Sequence, residues 1–190
     1  MDTMALEGGF ADPPVEAARA FRAALEAMAR PGTIWQVSGA APPAPLSPAA
    51  GALLLTLADT ETPVYLAGAA DCAGVRGWVA FHTGAPLVGP EAAIFALGTW
   101  EALGPLTRYP AGTPDYPDRS TTLIVEMPAL RTEGTTLRGP GIRDRAALNL
   151  PDPAALATNA ARFPLGLDFY FCAGDRIAAL PRSTRIGETG

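Results

Sequence analysis

Thr121-Thr122-Leu123-Ile124-Val125-Glu126-Met127 is the clearest strand in the chain, an apolar run rich in β-branched residues. What lies on either side of it decides the fold class. Upstream, helical and extended patterns alternate. Asp12 caps a helix with Pro13 and Pro14 in its first turn, and Val15, Ala18, Phe21, Leu25 and Met28 recur at three- and four-residue steps as one apolar stripe. Pro31-Gly32 stops that helix, and Thr33 to Val37 reads as a strand. Ser47-Pro48 opens a second helix, whose Leu53, Leu54, Leu55 and Leu57 surround it and predict burial. Pro63 to Ala67 is a short strand, Asp71 caps a third helix running to about Phe81, and Ala93 to Leu97 is extended again. Gly104 to Ser120 reads as a long loop.

Downstream, strands dominate. Thr135 to Arg138 is one, and Leu167 to Ala173 with Arg176 to Leu180 form a hairpin about Gly174-Asp175. A short helix over Asp152 to Ala161 interrupts them, with Asp152 as its cap. Helices between strands first, then mostly strands, predicts α/β architecture: a single domain over residues 1–190 with a mixed sheet in two or three layers. Met1 to Ala11 reads as a flexible or partner-bound arm.

Composition narrows the chemistry. The net charge of −5 offers no broad positive field for nucleic acid or an anionic membrane. All 14 basic residues are arginine, so no lysine is present to form an internal aldimine with pyridoxal phosphate or to complete a Walker-type phosphate loop. The two cysteines, Cys72 and Cys172, stand far apart, and His82 is the sole histidine, so neither a metal site nor a cofactor is expected from this chain alone. The longest apolar run, Ala49 to Ala58, is too short to span a bilayer, and the protein is expected in the cytoplasm. A charged fraction of only 17% suggests that other subunits cover part of the surface.

Three stretches could carry function. His82, with Thr83, falls in the last turn of the third helix, where it reads either as a general acid–base or as a structural or interface residue; the second reading is the commoner one. Arg138-Gly139-Pro140-Gly141 is a sharply bending segment, with Arg143 and Arg145 following, that would suit clamping of a phosphate or phosphonate or simply form an exposed basic turn. Phe163-Pro164-Leu165-Gly166, followed by Asp168, could line a pocket with Asp168 as base, or cement a strand entry and a partner surface. Asp115, Tyr116, Asp118 and Arg119 match no ligand spacing.

Taken in order, Phe21-Arg22 with Leu25, Met28 and Pro31-Gly32, Leu53 to Asp59 with Thr62-Pro63-Val64, and Phe81-His82-Thr83 resemble one family. Ala85-Pro86-Leu87-Val88, Gly139-Pro140-Gly141-Ile142, Phe163-Pro164-Leu165-Gly166 and Pro181-Arg182 continue the match, from about Phe10 to Arg185. The chain is identified as a member of the PhnH family, the H subunit of the bacterial carbon–phosphorus lyase system for phosphonate catabolism. The segment around Pro42 to Pro45 and the loop Arg108 to Arg119 depart from the family pattern.

The resemblance implies a fold similar to the large domain of pyridoxal-phosphate transferases, without the cofactor. It implies a homodimer when isolated. It also implies a complex with subunits G, I and J, and indirectly with an ATP-binding-cassette subunit. That complex forms ribose 1-alkylphosphonate 5-triphosphate from ATP and phosphonate. The H subunit is expected to be accessory, with no catalytic residue of its own. The rival expectation is a stand-alone nucleotide- or phosphonate-binding enzyme using His82, Asp168 and the Arg138 loop.

Overall fold

The structure, a computed structural model, describes residues 7–189. Helix α1 (Pro13–Ala29) begins with proline at its first positions, but Asp12 makes no side-chain cap; its backbone N–H instead donates to Glu16 Oε2 at 3.0 Å. The helix buries the side opposite to the expected stripe. Ala20, Ala23, Ala24 and Ala27 face the core, whereas Phe21 and Leu25 are 52% and 57% exposed and Val15 is exposed as well. The apolar period was real, but the buried residues are alanines, whose small side chains let the helix approach its neighbours closely.

Of the strand expected from Thr33 to Val37, only Trp35–Gln36 pairs, as β1. Helix α2 (Pro48–Leu57) follows the expectation closely: Ser47 Oγ accepts from Ala50 N at 3.2 Å, and Leu53 and Leu54 are fully buried. Each leucine buried to that degree contributes about 1.5–3 kcal/mol. Strand β2 (Val64–Leu66) leads to helix α3 (Ala73–Thr83), which carries His82 in its last turn. Cys72 rather than Asp71 occupies the N-cap of α3, because the Asp71 carboxylate is taken by a salt bridge to Arg76.

Strand β3 (Phe95–Thr99), a single-turn helix α4 (Trp100–Leu103) and strand β4 (Thr122–Glu126) come next. Between α4 and β4 the chain is mostly irregular, as expected. Arg108 stacks over the Tyr65 and Tyr109 rings there and donates to the Tyr65 hydroxyl at 2.8 Å. Strands β5 (Thr135–Arg138) and β6 (Ala146–Leu148) precede helix α5 (Pro153–Ala160), where Asp152 accepts from Ala155 N at 2.9 Å as expected of a cap. The hairpin of β7 (Asp168–Ala173) and β8 (Arg176–Leu180) and a final strand β9 (Arg185–Thr189) complete the chain.

The main sheet has six strands in the order β1-β8-β7-β4-β3-β2. Strands β2, β3, β4 and β7 are mutually parallel, β8 runs antiparallel to β7, and β1 is antiparallel to β8, which makes the sheet mixed as the sequence implies. Along each strand the side chains alternate between two faces. Leu97, Ile124, Tyr170 and Ile177 meet α1, α2 and α3 on one face, and Tyr170 donates to Ala24 O at 3.3 Å. Leu123, Val125, Phe169 and Phe171 meet α5 and a second layer on the other. That layer contains a separate three-stranded antiparallel sheet, β6-β5-β9, not foreseen from the sequence. The architecture is therefore three-layered.

Of the expected N-terminal arm, Met1 to Leu6 lie outside the described residues. Glu7 to Phe10 rest on the domain, with Trp78 Nε1 donating to Glu7 O at 3.0 Å and Ala41 N to Gly8 O at 2.9 Å.

Candidate functional site

The small sheet and the end of α5 enclose a cleft of about 620 Å³. Gly139 and Pro140, Ala160, Phe163 and Arg182 to Ile186 stand along it, so residues from two of the three stretches singled out by sequence converge here. Its walls follow from local chemistry. The bend after β5 packs against the end of α1 so closely that a Cβ on Gly141 would lie 1.9 Å from Ala29 O, and Gly141 itself has φ +79. Only glycine fits there. On the opposite wall, α5 winds down through a tight turn, with Phe163 N donating to Ala160 O at 3.1 Å, and the Phe163 ring is left 61% exposed.

Gly166 (φ +119) presses on Asn159, which grips the next residue from both sides: its Nδ2 donates to Leu167 O at 2.9 Å and its Oδ1 accepts from Leu167 N at 2.8 Å. That clasp sets the entry of β7 and hence the position of Asp168. The Asp168 carboxylate is fully engaged with Arg182. Oδ1 accepts from the Arg182 backbone N–H at 2.8 Å and from Nε at 3.1 Å, and Nη2 closes a second bond to Oδ2. The same guanidinium donates to Pro117 O and to Ser120 Oγ, both at 2.5 Å. The two side chains are only 13% (Arg182) and 20% (Asp168) exposed. This is a bidentate ion pair tying the hairpin to the long loop, not a free base.

Arg138 and Arg185 face each other as cross-strand partners of β5 and β9, and neither forms an ion pair among the described residues. Beside them Thr184, 1% exposed and on the cleft wall, has a buried hydroxyl with no hydrogen-bond partner among the described residues.

His82 and Thr83 are elsewhere, on the opposite face of the main sheet. His82 borders a cleft of about 350 Å³ with Gly8, Gly9, Phe10, Pro13 and Leu55, and its Nε2 lies 3.2 Å from Glu7 O. Its ring meets Phe81 edge-on at 4.9 Å and Trp78 at 5.1 Å. Thr83 closes the helix end: its hydroxyl donates to Val79 O at 2.8 Å and accepts from Ala85 N at 3.1 Å.

Two of the shifted ionisable groups, Glu126 and Cys172, meet at the carboxyl end of β4. Burial pushes the Glu126 carboxyl up, against the pull of the Ser47 N–H that donates to its Oε1 at 2.8 Å. Its register neighbour Cys172 is fully buried, which drives the thiol well above its usual value and makes it inert. Tyr170 and Tyr109 are each pushed up to about 12, chiefly by burial. Among the described residues no three His, Cys, Asp or Glu side chains gather into a metal-binding group.

Sequence reasoning overlooked Arg182, Thr184, Arg185, Ser120 and Asn159 as parts of this region. One of them was findable. Counting outward from the Gly174-Asp175 turn brings Asp168 beside Pro181-Arg182. Nothing in the sequence announces the others, because each is a common polar residue placed by tertiary contact.

Comparison with known proteins places the chain. A family model described as bacterial phosphonate metabolism protein (PhnH) matches residues 8–187. A relative from Rhizobium meliloti (strain 1021), the alpha-D-ribose 1-methylphosphonate 5-triphosphate synthase subunit PhnH, is 42% identical over 190 residues, covering 94% of each chain. With both matches spanning almost the whole domain, the chain belongs to the PhnH family of bacterial phosphonate metabolism proteins.

Proposed function

We propose that this chain is an accessory subunit of a ribose 1-methylphosphonate 5-triphosphate synthase, working within a carbon–phosphorus lyase complex in the cytoplasm. The observation that carries the reading is the 42% identity to such a subunit along 94% of both chains. Two features of the molecule support an accessory role. Asp168 is held by Arg182, and His82 borders a cleft that shares no residue with the Arg138 region, so these candidates form no common reaction centre. Helix α1 also turns Val15, Phe21 and Leu25 outward, and exposed apolar stripes of that kind mark surfaces covered by other chains.

In this reading the protein is a homodimer when alone and joins subunits G, I and J when they are present. Its scaffold is akin to the large domain of pyridoxal-phosphate transferases. The parallel run of β2, β3, β4 and β7 under helices supports that kinship, and the absence of lysine is consistent with a chain that does not hold the cofactor. Among the described residues no helix is long and apolar enough to cross a membrane.

The test is the native mass of the purified chain, alone and co-expressed with G, I and J. A dimer that joins a stable larger assembly is expected. A chain that remains separate beside all three partners refutes the proposal.

A further inference from the structure

We propose that the cleft between β9 and α5 takes up an extended segment of a partner chain, which adds to β9 as a fourth strand of the small sheet. The segment that fits alternates acidic with apolar residues. Three observations lead there.

First, β9 is an edge. The small sheet runs β6-β5-β9, and among the described residues β9 pairs with β5 alone. In an antiparallel pair, alternate residues turn both N–H and C=O away from the partner strand. One side of β9 thus offers a row of unused donors and acceptors.

Second, the cleft runs along that edge. Arg185 and Ile186 are consecutive in β9 and point to opposite faces of the sheet, yet both line the cleft, which places it beside the strand rather than over one face. The far wall is α5, where Ala157, Ala160 and Ala161 leave room for the side chains of an incoming strand. A volume of about 620 Å³ admits several residues in extended form. A groove between a strand edge and a helix is the layout in which extended peptides are held through main-chain hydrogen bonds. Phe163, 61% exposed on the same cleft, adds an aromatic contact.

Third, charge sets the pattern of the occupant. Arg138 and Arg185 are opposed across β5 and β9, on the face turned away from Leu137 and Ile186, and neither forms a salt bridge among the described residues. Like charges side by side on a sheet are unfavourable. A strand added to β9 sets one residue in line with this pair, beside Arg185, and an acidic side chain there relieves the repulsion. The residues before and after it turn the other way, alongside Ile186, where apolar side chains meet the alanines of α5. A second copy of this chain is a poorer occupant, because pairing through β9 would bring another Arg185 to the same crowded sheet.

The experiment titrates the full chain with a dye-labelled peptide of about eight residues that alternates valine and glutamate and has both ends blocked. Fluorescence anisotropy reads binding, and amide hydrogen exchange reads its place. Saturable binding below about 1 mM is expected, with slowed exchange at Arg185 to Gly187. Arg185→Glu, on the exposed face, should weaken it about fivefold or more, as should Ala160→Phe, which fills the groove. Lysine in place of glutamate, or N-methylation of the peptide throughout, should abolish it. A folded chain that leaves the peptide unbound overturns the inference. So does binding that leaves β9 exchange unchanged, or that survives both Arg185→Glu and N-methylation. The titration uses this chain alone, so its outcome is independent of the subunit proposal. A chain that binds the peptide yet stays separate from G, I and J refutes that proposal and leaves the groove standing.

Discussion

Replacing Arg182 by alanine tests whether Asp168 is held for structure or kept for chemistry. The substitution leaves a carboxylate only 20% exposed with a single remaining N–H donor, and strips donors from Pro117 O and Ser120 Oγ. Removing one partner of a fully buried ion pair costs about 3–5 kcal/mol, and the residual exposure of this pair lowers the expectation to about 2–4 kcal/mol. For a domain of this size, 1 kcal/mol corresponds to about 2–4 °C, so the variant should melt roughly 6–12 °C below the parent near the middle of that range. Urea unfolding of the parent, Arg182→Ala, Asp168→Asn and the double variant forms a thermodynamic cycle with a coupling of about 1.5–3 kcal/mol. Hydrogen exchange should speed up in Pro117 to Ser120, the loop end that the guanidinium holds. If Arg182→Ala costs under about 0.5 kcal/mol, the range typical of plain surface changes, the ion pair is not what fixes this region. If instead Asp168→Asn keeps full stability yet abolishes product formation in the assembled complex, Asp168 is a base and the structural account fails.

The carboxyl of Glu126 supplies a pH signature. Its folded value lies above the unfolded one because burial disfavours the charge, so the folded state holds the proton more tightly. Its contribution is complete below the ordinary 4.5 and is lost as pH rises through the folded value. Glu126→Gln, which still accepts from Ser47, should flatten that decline and equal or exceed the parent at pH 7 in urea melts. Ser47→Ala should cost about 1 kcal/mol through loss of the α2 cap, read by the same melts. Gly141→Ala should cost about 2–5 kcal/mol, combining a left-handed backbone with overlap onto Ala29 O, and thermal unfolding would show it. Phe21→Ser/Leu25→Ser should shift stability by no more than about 0.5 kcal/mol, since both side chains are outside the core, while abolishing co-purification with partner subunits.

The elements written in local chemistry were legible. Ser47-Pro48 and Asp152-Pro153 announce α2 and α5 because the cap and the first-turn proline act within four residues. Gly174-Asp175 announces the hairpin for a similar reason. What periodicity does not state is which face turns inward: on α1 the larger residues suggested the core, yet alanines were selected there by the closeness of the packing. The second sheet was illegible because β6 and β9 carry little strand-forming pattern and exist through pairing with β5. The same holds for the cleft. Gly139 and Pro140 were readable as part of a basic bend, but Thr184 and Arg185 come to the cleft beside them only through that pairing.

The alanine-faced α1 has a consequence for how such a protein changes over time. Its instructions for folding lie on one side of the helix, in side chains too small to be altered without loss. Whatever meets the other side is addressed by Val15, Phe21 and Leu25, residues that the domain itself does not need. Recognition can thus be rewritten while the scaffold is left untouched. The same separation offers a practical handle, since a cross-linker or fluorophore placed at residue 21 or 25 would report on contacts made by that surface without disturbing the molecule that carries it.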